Sequence, residues 1–324
     1  MAERELRLIV TQNCNYNCYF CHREGISRES QCELTSDDYE LLFSTCKEKL
    51  GWENVTITGG EPLMSPDIDS IIDKLHSNGA NITLVTNGEL LFEHKNILSK
   101  LKRINLSLHT LDEKKYEEII NRKDKMKKIL RNIAMLRNLY PKVELRLNVV
   151  LVKGINDKTE NITELLNFSG KINSSIKFIE LYSNDENIVK LEKVEKLLEE
   201  QNYKYYDTSN ISKKIMTNGK NLVILSRIFC ANAEKQIDPV KFCNKYNDLF
   251  ITPDGYVNIC RNGKKEISLF DELKNKDTKK LLDKIELAIS SMSLADFSIC
   301  PETLPNKLLN SSNSVLNCSA PLLP

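Results

Sequence analysis

Leu6-Arg7-Leu8-Ile9-Val10-Thr11, continued by Gln12-Asn13-Cys14-Asn15-Tyr16-Asn17-Cys18-Tyr19-Phe20-Cys21, sets the reading of the whole chain. A short β-rich run ends in a loop that carries a CxxxCxxC triplet. Five further runs of the same kind follow: Asn54–Thr58, Ile82–Thr86, Arg103–Leu108, Val143–Val152 and Ser175–Leu181. Between them lie helix-period stretches at Asp37–Leu50, Ile68–Ser77, Glu89–Leu101, Glu113–Tyr140 and Lys158–Phe168, with apolar residues three and four apart. Thr35 and Asp38 form a capping box at the start of the first. Strands alternating with helices imply parallel pairing and right-handed crossovers. A doubly wound sheet and a barrel both fit this alternation. No GxGxxG follows any strand, which disfavours the dinucleotide fold. Each polar motif sits at or just after the end of a β-rich run, where barrel enzymes collect their sites. The expected fold is therefore α/β, a partial (β/α)6 TIM-type barrel.

The pattern changes after about residue 185. A charged helix at Val189–Gln201 precedes an antiparallel insert of Tyr203–Asp207, Lys214–Thr217 and Leu222–Ile228, turning at Asn218-Gly219. A second hairpin turns at Asp254-Gly255. The chain thus divides into a barrel over 1–185 and a small extension over 186–324, expected to close the barrel from below.

Lysine and arginine number 46 against 45 acids in 324 residues, a net of +1, so the charge balance gives no reason to expect nucleic acid or a membrane surface as partner. No apolar run is long enough for a membrane span, and the charged start Met1-Ala2-Glu3-Arg4-Glu5 is unlike a signal peptide. A cytoplasmic protein is expected. A reducing compartment keeps no disulfides, so the ten cysteines point to metal chemistry or to burial as small hydrophobes. Three thiolates on one loop suit three irons of a 4Fe–4S cubane, with one iron left open. A zinc site is the alternative, with His22 as a fourth ligand.

The remaining motifs bear on that choice. Gly59-Gly60-Glu61-Pro62 follows the second run, Thr86-Asn87-Gly88 the third, and Ser107 lies at the fourth. Two glycines let backbone approach a ligand closely, and Glu61 offers a carboxylate to an ammonium group. Together with the triplet, these resemble the radical S-adenosylmethionine (SAM) superfamily. The resemblance implies a 4Fe–4S cluster on Cys14, Cys18 and Cys21, with SAM bound at the open iron. It also implies that Phe20 lies by the adenine and that Gly59, Gly60, Glu61, Pro62, Thr86, Asn87 and Ser107 bind SAM. One electron, from reduced flavodoxin or ferredoxin, would split SAM into methionine and a 5′-deoxyadenosyl radical that takes hydrogen from a small-molecule substrate. The protein would align the partners and keep water out.

Within the superfamily, residues 5–183 and 242–260 look like the GTP 3′,8-cyclases of molybdenum-cofactor biosynthesis. The similarity is carried by LRLIVTQNCNYNCYFCHREG, ITGGEPLMSPDI, TLVTNGELL, INLSLHTLDEKKY, LNVVLVKGIND and KFIELYS. That family carries an auxiliary 4Fe–4S cluster on CxxCx13C. Cys243 and Cys260 match its outer positions, while Tyr246 replaces the middle cysteine. Asp248, Phe250 and Ser65 stand where the family has GTP-binding arginines, and the Gly-Gly tail is replaced by Leu322-Leu323-Pro324. Losing three cations removes charge-assisted bonds worth roughly 1.5–3 kcal/mol each. Cys243, Gly255 and Cys260 also fit the start of the SPASM or twitch domain of peptide maturases. A second cluster would be completed by one or two of Cys230, Cys300 and Cys318; Cys32 and Cys46 are read as packing residues.

Arg7 and Arg146 remain as anion contacts, with His109 and Lys177 as further substrate contacts and Lys153 near the barrel mouth. His109 stands where the cyclases commonly have Asp. Trp52 is read as barrel-bottom packing, and Lys190–Glu200 as an exposed helix with i,i+4 ion pairs. The expected activity is radical-initiated cyclisation or rearrangement of a small polar, including a nucleotide-derived, substrate. The alternatives are a SPASM/twitch-type peptide maturase, for which no leader-recognition domain is evident at the N-terminus, and a divergent GTP 3′,8-cyclase.

Overall fold

The computed structural model describes residues 4–21, 23–26, 33–181, 188–210, 213–226, 248–258 and 266–293. Strands β1 (Glu5–Ile9), β2 (Asn54–Thr58), β3 (Asn81–Thr86), β4 (Arg103–Ser107), β5 (Glu144–Leu151) and β6 (Ser175–Glu180) pair in chain order, all parallel. Helices α1 (Ser36–Leu50), α2 (Ile68–Ser77), α3 (Glu113–Ile120), α4 (Met126–Leu139), α5 (Thr159–Lys171) and α6 (Glu192–Glu200) supply the crossovers. This is the expected partial (β/α)6 barrel. The capping box forms as read, since Asp38 N–H donates to Thr35 Oγ1 and Thr35 N–H donates to Asp38 Oδ2.

Side chains alternate across each strand. Leu6 and Leu8, Val55 and Ile57, Ile82 and Leu84, Ile104 and Leu106, Leu145 and Leu147, Ile176 and Phe178 join the core shared with the helices. The intervening positions give the inner wall a different character: Arg7, Thr56, Thr83, Asn105, Ser107, Arg146, Asn148 and Lys177. Trp52 is buried ahead of β2 under the Arg4 guanidinium, and Cys46 packs fully buried on α1.

The later strands that are described extend the sheet at its two edges. β7 (Lys204–Asn210), β8 (Lys213–Thr217) and β9 (Leu222–Ser226) form the expected antiparallel insert, and β9 lies parallel beside β6. At the other edge, β10 (Asp248–Ile251) lies parallel beside β1, followed by β11 (Tyr256–Asn258) and β12 (Glu266–Ser268). The described strands make one twelve-stranded sheet, extended at both margins. Gly219 and Gly255, at φ +83° and +79°, turn the two hairpins. Helices α7 (Phe270–Lys274) and α8 (Thr278–Ser293) pack against α1. Glu195 of α6 is buried, and its Oε1 meets Lys214 Nζ of β8 at 2.5 Å, so this helix has an inward-facing charge that an exposed surface helix would lack.

Two helix readings are corrected. Glu89–Leu101 forms turns and a short 3-10 segment, Lys95–Lys100, instead of a regular helix. The continuous helix read over Glu113–Tyr140 breaks into α3 and α4, because Asn121 and Asp124 take left-handed conformations at φ +51° and +58°. Asn tolerates that region because its short polar side chain satisfies backbone locally. A β-branched residue does not. Asn121→Val should therefore lower stability by about 1–2 kcal/mol in urea unfolding, while Asn121→Gly stays near wild type; equal losses for both would remove the backbone explanation.

Candidate active site

The cysteine loop leaves the C-terminal end of β1 and is held by backbone on several sides. Its Asn17 and Tyr19 N–H groups donate to the carbonyls of Ile120 and Ile119, at 3.1 and 3.3 Å. Those carbonyls are open because α3 stops there, since the last carbonyls of a helix have no intrahelical partner. Arg122 Nε, just past the break, donates to Asn15 O at 3.0 Å. From β3's side, Asn87 Nδ2 donates to Asn15 Oδ1 at 2.7 Å, and Asn15 Nδ2 donates to buried Glu89 Oε2 at 2.9 Å. Lys125 Nζ balances Glu89 at 2.9 Å.

Cys14 and Cys21 are exposed, Cys18 is half-buried, and all three are free thiols. Burial, then the neighbouring Cys21 and Cys14, pushes the Cys18 thiol up to about 12, and burial also raises Cys14. Tyr16 N–H donates to Cys14 Sγ at 3.4 Å, a bond that favours the thiolate. Among the described residues, no three His, Cys, Asp or Glu side chains converge on one point as a single metal ion requires. A cubane places each thiolate on its own iron, so three neighbouring thiols on one loop fit it. His22 lies outside the described residues.

The two glycines after β2 serve the protein before any ligand. A Cβ on Gly60 would lie 2.3 Å from Asn13 O and 2.6 Å from Gln12 O, and one on Gly59 would lie 2.5 Å from Thr11 O. Only glycine lets this turn close on the cysteine loop, where Gly60 N–H donates to Thr11 O and Glu61 N–H donates to Asn13 O, both at 2.8 Å. Glu61 likewise turns inward. Its carboxylate is 1% exposed and accepts from Thr86 Oγ1 at 2.7 Å, Asn87 N–H at 2.8 Å and Leu63 N–H at 3.2 Å. In this structure the carboxylate clamps the turn after β2 to the end of β3. Burial pushes its pKa up to about 7 against the pull of those bonds. Pro62 starts a buried 3-10 turn, Pro62–Met64.

Phe20 points from the cysteine loop towards the end of β4. Its ring meets His109 edge-on, with centroids 5.1 Å apart, and Tyr19 meets Phe20 at 5.3 Å. His109 is buried, and burial pushes its pKa down to about 4. Nδ1 accepts from Val150 N–H at 3.2 Å, so the neutral ring carries its proton on Nε2. Ser107 pairs in register with Asn148 of β5.

The substrate candidates lie on the inner wall. Arg7 donates to Glu24 Oε1 at 3.1 Å, lies 5.4 Å from the Phe250 ring, and is held charged by Glu24, Glu5 and Asp248 against burial. Arg146 Nε donates to Ser175 Oγ at 3.3 Å, and burial with Arg103 nearby pushes its pKa down to about 10. Arg146 pairs in register with Asn105 of β4, and Lys177 with Asn148. The buried Oδ1 atoms of Asn105 and Asn148 have no hydrogen-bond partner among the described residues. Sequence reading passed over both. The signal was there: in Ile104-Asn105-Leu106-Ser107 and Leu145-Arg146-Leu147-Asn148, every second residue is polar where an apolar lumen would alternate apolar with apolar. The auxiliary-cluster candidates Cys230, Cys243, Cys260, Cys300 and Cys318 lie outside the described residues.

The sequence profile of the Radical SAM superfamily matches residues 8–166. A probable GTP 3′,8-cyclase of Pyrobaculum aerophilum is 30% identical over 297 residues, which cover 89% of this chain and 93% of that one. The chain belongs to the radical SAM superfamily. A GTP 3′,8-cyclase of Peptoclostridium acidaminophilum is 31% identical over 307 residues, 84% of this chain and 88% of its own. Among solved structures, SuiB of Streptococcus suis superposes with a TM-score of 0.63 at 21% identity, over 83% of this chain and 64% of that one. The anSMEcpe protein with bound AdoMet gives 0.57 at 15% identity, over 92% and 88%. At these identities the structural likeness concerns the fold. This radical SAM enzyme therefore belongs to a class that works with a 4Fe–4S cluster and SAM. Among the described residues, no helix is long and apolar enough to cross a membrane.

Two substitutions test the geometry. Gly60→Ala should displace the cysteine loop and leave the anaerobically reconstituted protein with much less than the roughly four irons of one cubane; full loading would refute the close-approach argument. Glu61 binds a proton more tightly folded than unfolded, so its contribution to the cluster-free protein is present below its unfolded pKa and is lost as pH rises through about 7. The stability gap between wild type and Glu61→Gln, measured by urea unfolding, should narrow from pH 5 to pH 8. A widening gap counts against the raised pKa.

Proposed function

We propose that this radical SAM enzyme reductively cleaves SAM, takes hydrogen from a small polar substrate, and cyclises or rearranges it. In this reading Cys14, Cys18 and Cys21 hold the cluster, Phe20 lies by the adenine, and Gly59 to Pro62, Thr86, Asn87 and Ser107 form the SAM-facing wall. When bound, the cluster supplies the electron that breaks the S–C bond of SAM and releases a 5′-deoxyadenosyl radical. The chain's own task is positional. The loop fixed by α3 sets the cluster, and the Glu61 clamp holds the turn after β2 against the end of β3.

The observation that carries the substrate class is the polar inner wall. A buried carboxamide oxygen without a donor costs about 1–3 kcal/mol, and Asn105 and Asn148 present two of them beside Arg146 and Lys177. A ligand rich in N–H and O–H groups meets that need, and a hydrocarbon does not. Nucleotide-derived compounds qualify. A nucleoside triphosphate fits poorly, because Asp248, Phe250 and Ser65 replace arginines and Arg7 is already paired with Glu24. A second cluster on Cys243 and Cys260, completed from Cys230, Cys300 and Cys318, is supported by their spacing. Reduced flavodoxin or ferredoxin is the proposed electron source, the cytoplasm the proposed compartment, and 1–185 with 186–324 the proposed domain division.

With SAM and a chemical reductant under anaerobic conditions, the reconstituted protein should form 5′-deoxyadenosine, and Cys14→Ala should form none. Iron analysis should give about eight per chain, falling to about four in Cys243→Ala; about four in both removes the second cluster. Calorimetry with GTP should show no micromolar binding, and such binding would restore the cyclase reading.

A further inference from the structure

We infer that His109 is a positioning residue for SAM: its ring sets Phe20 against the adenine through their edge-on contact. This rests on the proposed role of Phe20 and extends it to a residue outside the SAM-binding set. Three observations carry it. The Phe20 and His109 rings are nearly perpendicular, at 86°, with centroids 5.1 Å apart, a favourable aromatic geometry. The His109 ring is not free to turn, because Nδ1 is fixed by the Val150 N–H of β5. Its backbone is fixed as well. Fully buried Asn156 donates from Nδ2 to His109 O at 2.7 Å and to Val150 O at 2.8 Å, while its Oδ1 accepts from Val152 N–H at 2.7 Å. One carboxamide thus ties the end of β4 to the end of β5, and His109 carries that rigidity to the cysteine loop. Phe20 itself is only half-buried and follows an exposed Tyr19. Without the ring behind it, its side chain has several rotamers to choose from.

Two substitutions separate the ring from the hydrogen bond. His109→Phe keeps an aromatic edge and loses the acceptor for Val150. His109→Asn keeps an acceptor, since Asn Oδ1 lies as many bonds from Cα as His Nδ1, and loses the ring. SAM affinity of the cluster-loaded protein is measured anaerobically by calorimetry, with cluster absorbance confirming equal loading. His109→Asn should bind SAM roughly three- to ten-fold more weakly, and His109→Phe close to wild type. A merely structural role gives the opposite order, with affinity following the Val150 bond. In a Phe20→Leu background the His109→Asn effect should vanish. Normal affinity in His109→Asn, or equal losses in both His109 variants, overturns the inference. If Phe20→Leu itself leaves affinity unchanged, the adenine role of Phe20 fails and takes the inference with it. If Phe20→Leu weakens binding and His109→Asn does not, the inference fails alone.

Discussion

The carbonyls of Ile119 and Ile120 accept the N–H groups of Tyr19 and Asn17, and the rest of the site is arranged around that anchorage. It exists because α3 stops one residue before Asn121, whose left-handed conformation ends the helix and leaves its last carbonyls unpaired. Had the helix run on to Tyr140, those oxygens would have bonded within it and the cysteine loop would have lost its floor. Arg122, the residue after the break, completes the seat by reaching Asn15 O. The chain interruption and the seating of the cysteine loop are thus one structural device.

Around this seat the motifs support one another more than they face outward. The glycines after β2 are spent on proximity to the cysteine loop, and Glu61 on the end of β3. Asn87 and Glu89 continue the chain of contacts back to Asn15. The second and third motifs therefore brace the first. What they leave for a ligand is a wall of backbone and small polar groups whose positions are set in advance, the arrangement in which electrostatic preorganisation is effective.

The strands and the placing of each motif at a strand end were legible in the sequence, because alternating β-rich runs and helix-period stretches leave few arrangements open. The break between α3 and α4 shows why part of the rest was hidden. Nothing in Asn121-Arg122-Lys123-Asp124 breaks the helical period, since the break is a backbone conformation that Asn and Asp tolerate without requiring. The inward turn of Glu61 and the closeness at Gly60 are equally matters of which neighbour comes near, whereas the polar alternation that places Asn105 and Asn148 on the inner wall is written in the sequence. Residue types show what a group can do, and packing shows to whom it does it. The Asp254-Gly255 and Asn218-Gly219 hairpins were legible because turn chemistry is local.

The sheet extended at both margins has a consequence for the molecule's behaviour among its own copies. A closed barrel has no edge strand, whereas among the described residues this sheet ends in β12 and β7, and an unpaired strand is a template for another chain. Both ends are blunted. β12 is only three residues long, and the pairing of β7 with β8 slips between Tyr205 and Asp207 and again between Asp207 and Asn210, so neither offers a long regular ladder. Among the described residues the open-sided barrel thus presents only short, irregular margins, which leave little regular ladder for another copy of the chain to extend.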